Sequence, residues 1–147
     1  MPIRDNAAAL SNLSNMSLLL LKMAYSPLHI HGLVFSQPID DPAATLGISP
    51  SIFQAGSTVP VKFKLKNASG QIVQATILPQ WLTPTKGAVL TGSVDEPVYS
   101  DPATTGNSFR WDSTSQQYIY NWSTKGFAPG YWYKIHAKLD DGTIKSV

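Results

Sequence analysis

The sequence has no cysteine among its 147 residues and few charged side chains. The absence of cysteine excludes disulfides, thiolate metal sites and cysteine nucleophiles, and it leaves the redox compartment open. Charged residues make up 14% of the chain, whereas roughly 25% is usual for soluble proteins. Because the net charge is only +2, we expect no electrostatic field strong enough to bind nucleic acid or acidic lipid.

Long helical patterns are also scarce, except near the N-terminus. The 11 prolines and 10 glycines, together with many Ser, Thr and Asn residues, suit short strands joined by turns. The length allows one domain with a core, and it is too short for two. The sequence therefore predicts an all-β domain with an extension.

The extension covers residues 1–32 and contains the stretch AAALSNLSNMSLLLLKMAY. Its apolar residues recur at steps of three and four, which is typical of an amphipathic helix. A leader outside the folded domain is the other interpretation. The stretch is a poor secretory signal and is too short and too polar to span a membrane. We assign residues 33–147 to the domain.

The segment STVPVKFKL, residues 57–65, alternates apolar and polar side chains. At a period of two, the apolar side chains share one face of a strand and the lysines share the other. The apolar face consists of Val59, Val61, Phe63 and Leu65. Since Pro60 cannot donate to a ladder, and outward lysines such as Lys62 and Lys64 discourage association, we predict a half-buried edge strand.

Further strands follow at intervals of about ten residues. Turn residues at 67–70 predict a hairpin with residues 71–78, in which Val73, Ala75 and Ile77 share a face. Residues 112–115 predict a second hairpin turn, and weaker strand signals lie at 88–90 and 98–99. The spacing predicts a two-sheet sandwich.

The last predicted hairpin has arms of unequal length. Residues 131–139 alternate over nine positions, whereas the return arm after the turn at 140–142 comprises only residues 143–147. Paired strands are usually matched in length. We therefore expect backbone groups without partners at this edge.

Four ordered segments give the chain a family resemblance: FSQPID, SIFQAGSTVPVKFKL, ATTGNSFRWDSTSQQYIYNWSTKG and GYWYKIHAKLDDGT. From about residue 33 onward the sequence resembles the PxKF domain family, an immunoglobulin-like β-sandwich module of secreted bacterial and archaeal proteins. The residues that match the family motif are Pro60, Lys62, Phe63, Gly106, Asn107, Tyr118, Asn121, Trp122, Asp141 and Gly142.

The resemblance implies an immunoglobulin-like fold and an extracellular, structural or adhesive role. It implies no catalytic residue, because the family offers none to carry over, and fold alone does not determine function. Family members usually continue after the D-G-T turn with a final apolar strand, and this sequence has only five residues there.

Candidate reactive groups are few. His29 and His31 form an H-x-H pair but lack a third ligand at convincing spacing. Two Asp-Asp pairs, at 40–41 and 140–141, precede Pro or Gly and are first of all turn residues. The sequence therefore predicts no enzyme, no metal site and no cofactor.

The aromatic residues allow a carbohydrate-binding alternative. Trp132 shares its predicted strand face with lysines, and together with Trp111 it is a candidate platform for a sugar ring. A tryptophan packed between two sheets is the ordinary alternative, and we favour core packing for Trp122.

The sequence thus predicts a non-enzymatic, extracellular structural or adhesion module that binds protein partners or copies of itself. One alternative is a fibre subunit joined by donor-strand complementation, in which a segment of one copy completes the sheet of the next. The candidate donor residues are Leu28, Ile30, Leu33 and Phe35. The other alternative is a carbohydrate-binding module with a polysaccharide ligand.

Overall fold

The computed structural model describes residues 32–39, 51–91 and 96–147, and these residues form an all-β fold. The strands are β1 (Gly32–Ser36), β2 (Thr58–Lys66), β3 (Ile72–Val73), β4 (Gln80–Val89), β5 (Arg110–Asp112), β6 (Gln117–Ser123), β7 (Tyr131–Lys138) and β8 (Ile144–Ser146). Among the described residues, no helix has the length and apolarity needed to cross a membrane. The predicted helix or leader at residues 1–32 lies outside the described residues, except for Gly32.

The described strands form two antiparallel sheets. One has the order β1-β2-β6-β5, with β3 also pairing with β2, and the other has the order β4-β7-β8. Side chains from both sheets meet in one core, where Trp81 of β4 stacks on Tyr120 of β6 with ring centroids 4.4 Å apart. This arrangement confirms the prediction of an all-β, sandwich-like fold.

The apolar face of β2 forms the centre of the core, as the period of two predicts. Its four apolar residues are fully buried: Val59, Val61, Phe63 and Leu65. Phe63 contacts the rings of Phe35, Phe109 and Tyr118 at centroid distances of 5.9, 4.8 and 5.2 Å. Lys62 and Lys64 are half-buried on the opposite face, which confirms the predicted orientation of the strand.

The position of β2 in its sheet differs from the prediction. We expected an edge strand because of Pro60, but β2 lies between β1 and β6. Pairing with β1 begins only at Ser36 and Lys62, so the missing N–H of Pro60 falls beyond the end of β1. At that end of β2 the N–H of Thr58 instead donates to the carbonyl of Tyr99, at 3.0 Å.

Residues 72–99 depart furthest from the sequence prediction. The return strand of the first hairpin is only β3, and Ile77 is 62% exposed instead of sharing a buried face with Ala75. The N–H of Ala75 donates to the hydroxyl of Tyr118, at 2.7 Å, and not to a neighbouring strand. The strand predicted at 88–90 corresponds to the end of β4, which finishes at Val89. Residues 98–99, also predicted as a strand, are not one.

The two later hairpins agree with the prediction. β5 and β6 pair around the turn at 112–115, where the N–H of Thr114 donates to the carboxylate of Asp112, at 3.1 Å. β7 and β8 pair around the turn at 140–142. Within the given sequence, β8 pairs with His136, Ala137 and Lys138 of β7.

Candidate functional site: the free side of β7

The two sides of β7 are paired to different extents. On one side β4 accompanies it from Tyr131 to Lys138, with two irregularities in register. On the other side β8 pairs with His136, Ala137 and Lys138, and Val147 extends this pairing to Ile135. No strand among the described residues lies along this side of residues 131–134.

The ladder shows which backbone groups face the free side. Ile135 and Val147 exchange both backbone hydrogen bonds, at 2.7 and 3.0 Å. In an antiparallel ladder, alternate residues direct their N–H and C=O groups to the same side. The backbone groups of Tyr133 and Tyr131 therefore point away from β4 into the strip beyond Val147.

An apolar groove of about 700 Å³ lies beside this strip. Its lining comes from both sheets and from the segments that flank them. Representative lining residues are Phe53, Val59, Trp122, Phe127, Tyr133 and Val147. The groove therefore reaches from the free side of β7 toward the core at the Thr58 end of β2.

The loop before β7 builds one wall of the groove. Phe127 packs against Trp122 and Tyr133 with ring centroids 5.1 and 5.4 Å apart, and both ring pairs meet edge to face. The Tyr133 hydroxyl donates to the carbonyl of Ala128, at 2.9 Å. Gly130 has a φ of +80°, a backbone conformation that glycine adopts without a steric cost.

Basic side chains flank the rim of the groove. The ammonium group of Lys86 lies 3.5 Å from the centroid of the Tyr131 ring, which is a cation–π contact. Lys134 lines the groove and is exposed. The groove thus combines an apolar floor, a cationic rim and backbone groups without a described strand opposite them, which are the features that an extended polypeptide contacts when it joins a sheet.

Trp122 leaves one polar group unsatisfied next to the groove. Its indole N–H is buried and has no acceptor among the described residues. Leaving such a donor without a partner costs about 1–3 kcal/mol. The side chain is 8% exposed, and it packs against Trp81 with ring centroids 6.0 Å apart. As predicted, Trp122 belongs to the core.

The motif residues of β2 have structural positions. Phe63 is in the core, and Pro60 is buried at the end of the strand where β1 is absent. Lys62 lies directly opposite Ile119, which lies opposite Arg110 in turn. Ile119 is 6% exposed, and it lines a surface depression together with Lys62 and Arg110.

The motif residues of β6 and of the loop before β5 connect separate segments. The hydroxyl of Tyr118 accepts from Ala75, and the side-chain amide of Asn121 donates to the carbonyl of Pro102, at 3.0 Å. The carbonyl of Gly106 accepts from the Tyr120 hydroxyl, at 2.8 Å.

The remaining motif residues fix a sheet contact and a turn. The Asn107 carbonyl accepts from the N–H of Trp81, at 2.6 Å, which ties the loop before β5 to β4. Asp141 accepts from the N–H of Thr143, at 2.7 Å. Gly142, with a φ of +84°, donates to the carbonyl of Leu139. Each motif residue thus has a packing or hydrogen-bonding role in the fold.

The two candidate carbohydrate-binding tryptophans are not brought together. Trp111 lies in β5 opposite Tyr118, with ring centroids 4.9 Å apart, and packs against the core. Trp132 lies in β7 of the other sheet, half-buried, with its backbone close to Gly87. They do not form a single platform.

The candidate donor residues fall into two groups. Leu33 and Phe35 lie in β1, where they pair with Leu65 and Phe63 of β2. Phe35 is 6% exposed and belongs to the chain's own core. Leu28 and Ile30 lie outside the described residues, as do His29 and His31.

Titratable groups in the described part of the chain do not form a cluster. No three His, Asp or Glu residues there lie close enough together to hold a metal ion. His136 lies between the hydroxyls of Thr85 and Ser146, at 2.8 and 2.7 Å. A hydrogen bond from Ser115, supported by backbone N–H groups, lowers the pKa of Asp112.

Sequence reasoning predicted a shortage of backbone partners at this edge but missed the groove. Phe53 and Phe127 lie far apart in the sequence, in segments without strand periodicity. The sequence contains one pattern that could have indicated the groove wall. Between Phe127 and Tyr133, aromatic residues flank Pro129 and Gly130, where the longer arm of the last hairpin begins.

Comparison of the chain with models of protein families, with curated proteins and with solved structures finds no significant match.

Proposed function

We propose that this chain is a non-enzymatic structural module, an immunoglobulin-like β-sandwich that binds another polypeptide by strand addition beside β7. One observation supports the proposal most directly: backbone groups without a described strand opposite them and an apolar groove lie side by side. Backbone groups of Tyr131 and Tyr133, which no strand of the described ranges pairs with on this side, point into a strip that borders an apolar groove of about 700 Å³.

The strand order supports the immunoglobulin-like assignment. With β3 left aside, the sheets β1-β2-β6-β5 and β4-β7-β8 correspond to the ABED and CFG sheets of a constant-type domain, in chain order. In that correspondence β4 is strand C, and Trp81 of β4 is packed against Tyr120 and Phe109, where such domains place a core tryptophan. β8 is then the last strand, G.

The chemistry of the site favours a peptide over a small molecule. An added strand gains main-chain hydrogen bonds from the sheet, and its alternate side chains fill pockets below. Directly opposite residues in a ladder share a face, and Val147, opposite Ile135, packs against the core. Residues added opposite Tyr133 and Tyr131 therefore direct their side chains into the groove.

The resemblance to the PxKF family supports an extracellular or cell-surface location and an adhesive or structural role for the module. In such a role, binding at a sheet edge joins polypeptides through noncovalent contacts, and no reaction is catalysed. The structural positions of the motif residues suit this role, because each of them has a packing or hydrogen-bonding contact within the sandwich.

Peptide binding tests the proposal. The heptapeptide KSVTVTK carries two valines that enter the groove in an extended conformation, and KSDTDTK is its matched control. We expect calorimetry to detect saturable binding of the first peptide to the full chain, and binding about a hundredfold weaker for the second, because two buried apolar side chains are lost.

Two variants localise the binding. Phe127→Asp places a charge in the groove wall and should abolish binding of KSVTVTK. Ile144→Asp changes an exposed residue of β8 (53% exposed) outside the groove lining and should leave binding unchanged. Equal binding of both peptides, or equal effects of both variants, would contradict the proposal.

A further inference from the structure

We infer that a depression on the outer face of the larger sheet binds the ring of a sugar acid, a sugar that carries one carboxylate. The depression has a volume of about 390 Å³ and is lined by residues of β2, β5 and β6 and by residues 99, 101 and 102. Sites for small molecules have volumes of about 300–1,000 Å³, so a single sugar ring is of suitable size. The depression shares no described lining residue with the groove beside β7, so binding here is independent of the strand addition proposed above.

Residues 99–104 form one wall of the depression, and hydrogen bonds hold them at both ends. On the β1 side of β2, the N–H of Thr58 donates to the carbonyl of Tyr99, at 3.0 Å. On the β5 side of β6, the N–H of Asn121 donates to the hydroxyl of Thr104, at 2.8 Å, and the N–H of Thr104 donates to the carbonyl of Asn121, at 2.9 Å. Residues 99–104 therefore cross the pair of strands β2 and β6.

This crossing lies over the outer face of the sheet. Pro60 and Asn121 are directly opposite each other in the ladder, and they face outward because Val59 and Trp122 belong to the core. The carbonyl of Pro102 accepts from the side-chain amide of Asn121, at 3.0 Å. Pro60 is buried although it faces outward. The wall is thus fixed within the fold, and a preformed site loses less entropy when a ligand binds.

Two basic side chains lie across the sheet beside this wall. Lys62 is opposite Ile119, and Ile119 is opposite Arg110. This row is two residues along β6 from Asn121, which is about 7 Å at roughly 3.3 Å per residue. Arg110 attracts the carboxylate of Asp112, whereas no described residue forms a salt bridge with Lys62. One end of the depression therefore attracts an anionic group.

The other end offers acceptors for hydroxyl groups. The carboxylate of Asp101 and the hydroxyl of Tyr99 line it, and neither has a hydrogen bond to a residue in the described ranges. The side-chain oxygen of Asn121 is a third acceptor, because the NH₂ group is the part that donates to Pro102. Alcohol hydroxyls can donate to all three groups.

This arrangement favours a sugar acid over other small anions. A sugar acid directs its carboxylate toward the cations and its hydroxyls toward the acceptors, while the C–H groups of its ring pack on Ile119 and Pro60. Phosphate has no apolar face, and the carboxylate of Asp101 repels its larger charge. In an α-amino acid only one carbon separates the ammonium from the carboxylate, which is too short to reach from the basic row to Asp101.

Nuclear magnetic resonance titration of the full chain tests the ligand class. D-Galacturonate is the probe, and D-galactose, which has CH₂OH in place of the carboxylate, is its matched control. We expect saturable shifts at the amides of Ile119 and Asn121 with D-galacturonate. Binding of D-galactose should be about tenfold weaker or less, because hydrogen bonds to a charged group are lost. Equal binding of the two sugars, or no binding of D-galacturonate, would overturn the inference.

The source of the sugar acid is distinguished by trigalacturonate. Tighter binding of the trimer than of D-galacturonate would identify an acidic polysaccharide, and equal binding would identify the monosaccharide. Both results support a site for one sugar-acid ring.

Charge-neutralising variants test the two basic residues. Lys62→Gln and Arg110→Gln should each weaken D-galacturonate binding about tenfold. Lys64→Gln removes the same charge from the same strand but lies outside the lining, so it should leave binding unchanged. Because Arg110 is exposed, its variant tests the site without disturbing a buried side chain. Equal effects of Lys62→Gln and Lys64→Gln would show a general effect of charge and would overturn the site.

Asp101→Asn separates a sugar site from a simple anion site. The variant should weaken D-galacturonate binding severalfold, because an amide oxygen is a poorer acceptor for hydroxyls than a carboxylate. Tighter binding to Asp101→Asn would show that only the ligand's carboxylate is recognised and would overturn the assignment of a sugar. Binding of glycine or inorganic phosphate as tight as that of D-galacturonate would overturn it as well.

Discussion

The two halves of β7 differ in how their described neighbours pair with them. Residues 135–138 lie between β4 and β8, whereas residues 131–134 have β4 on one side and no described strand on the other. Side chains that face the core are buried in the first half, as for Ile135 and Ala137, and half-buried in the second, as for Tyr131 and Tyr133. Within the described ranges, the same strand thus has neighbours on both sides at one end and on one side at the other.

The core shows the same contrast between its two ends. Around Phe63 the aromatic side chains are fully enclosed, and each has partners from several strands. Around Phe127 the rings meet edge to face beside an open groove. We therefore expect stability to derive mainly from the enclosed end, whereas the open end is the site of the proposed strand addition.

The largest expected effect is the loss of Phe63. Phe63→Ala should lower the free energy of unfolding by about 3–5 kcal/mol because the ring is fully buried. Phe127→Ala, at the open end, should cost about half as much, because Phe127 is half-buried. Urea denaturation of both variants measures the difference.

Lys64→Ala is the control for the same strand. Lys64 lies on the outer face of β2, so its loss should stay within about 0.5 kcal/mol. Equal costs for Phe63→Ala and Lys64→Ala would contradict the orientation of β2, and equal costs for Phe63→Ala and Phe127→Ala would contradict the contrast between the two ends.

An intermediate effect is expected from two tyrosine hydroxyls. Tyr118→Phe removes the buried acceptor of the Ala75 N–H and should cost about 1–3 kcal/mol, because that donor is left unsatisfied. Tyr133→Phe removes a bond to the exposed carbonyl of Ala128 and should cost at most about 0.5 kcal/mol. Thermal unfolding measures both, and a larger loss for Tyr133→Phe would reverse the contrast.

A more gradual effect is expected at high pH. Burial raises the pKa of Tyr118 and also the pKa of Tyr120, so the unfolded chain loses these protons first as the pH rises. The stabilisation is fully present below the unfolded pKa of about 10 and is lost as the pH rises above it. Denaturation at several pH values measures this loss, and Tyr118→Phe should weaken it. A pH dependence unchanged by Tyr118→Phe would contradict the assignment.

Much of the sandwich could be predicted from local sequence patterns. The alternation from Val59 to Leu65 gave the buried face of β2, and turn residues gave the hairpins at 112–115 and 140–142. These features depend on side-chain parity and turn chemistry, which neighbouring residues determine.

Properties that depend on distant partners could not be predicted in the same way. Pro60 indicated an edge strand, but a proline is accommodated there because β1 does not extend to that position. No local sequence pattern shows where β1 ends. The exposure of Ile77 has a similar cause, because Ala75 bonds to Tyr118, 43 residues away. The groove combines Phe53, Trp122 and Phe127, and only the fold brings these residues together.

Amide hydrogen exchange in the two halves of β7 tests the central claim most directly. In the full chain without added peptide, we expect slow exchange at the N–H groups of Ile135 and Leu139, which bond to Val147 and Thr143, and fast exchange at Tyr131 and Tyr133. Addition of KSVTVTK should slow exchange at both tyrosines and leave Leu139 unchanged. Slow exchange at Tyr131 and Tyr133 before any peptide is added would show that their backbone groups are already paired, and would contradict the account.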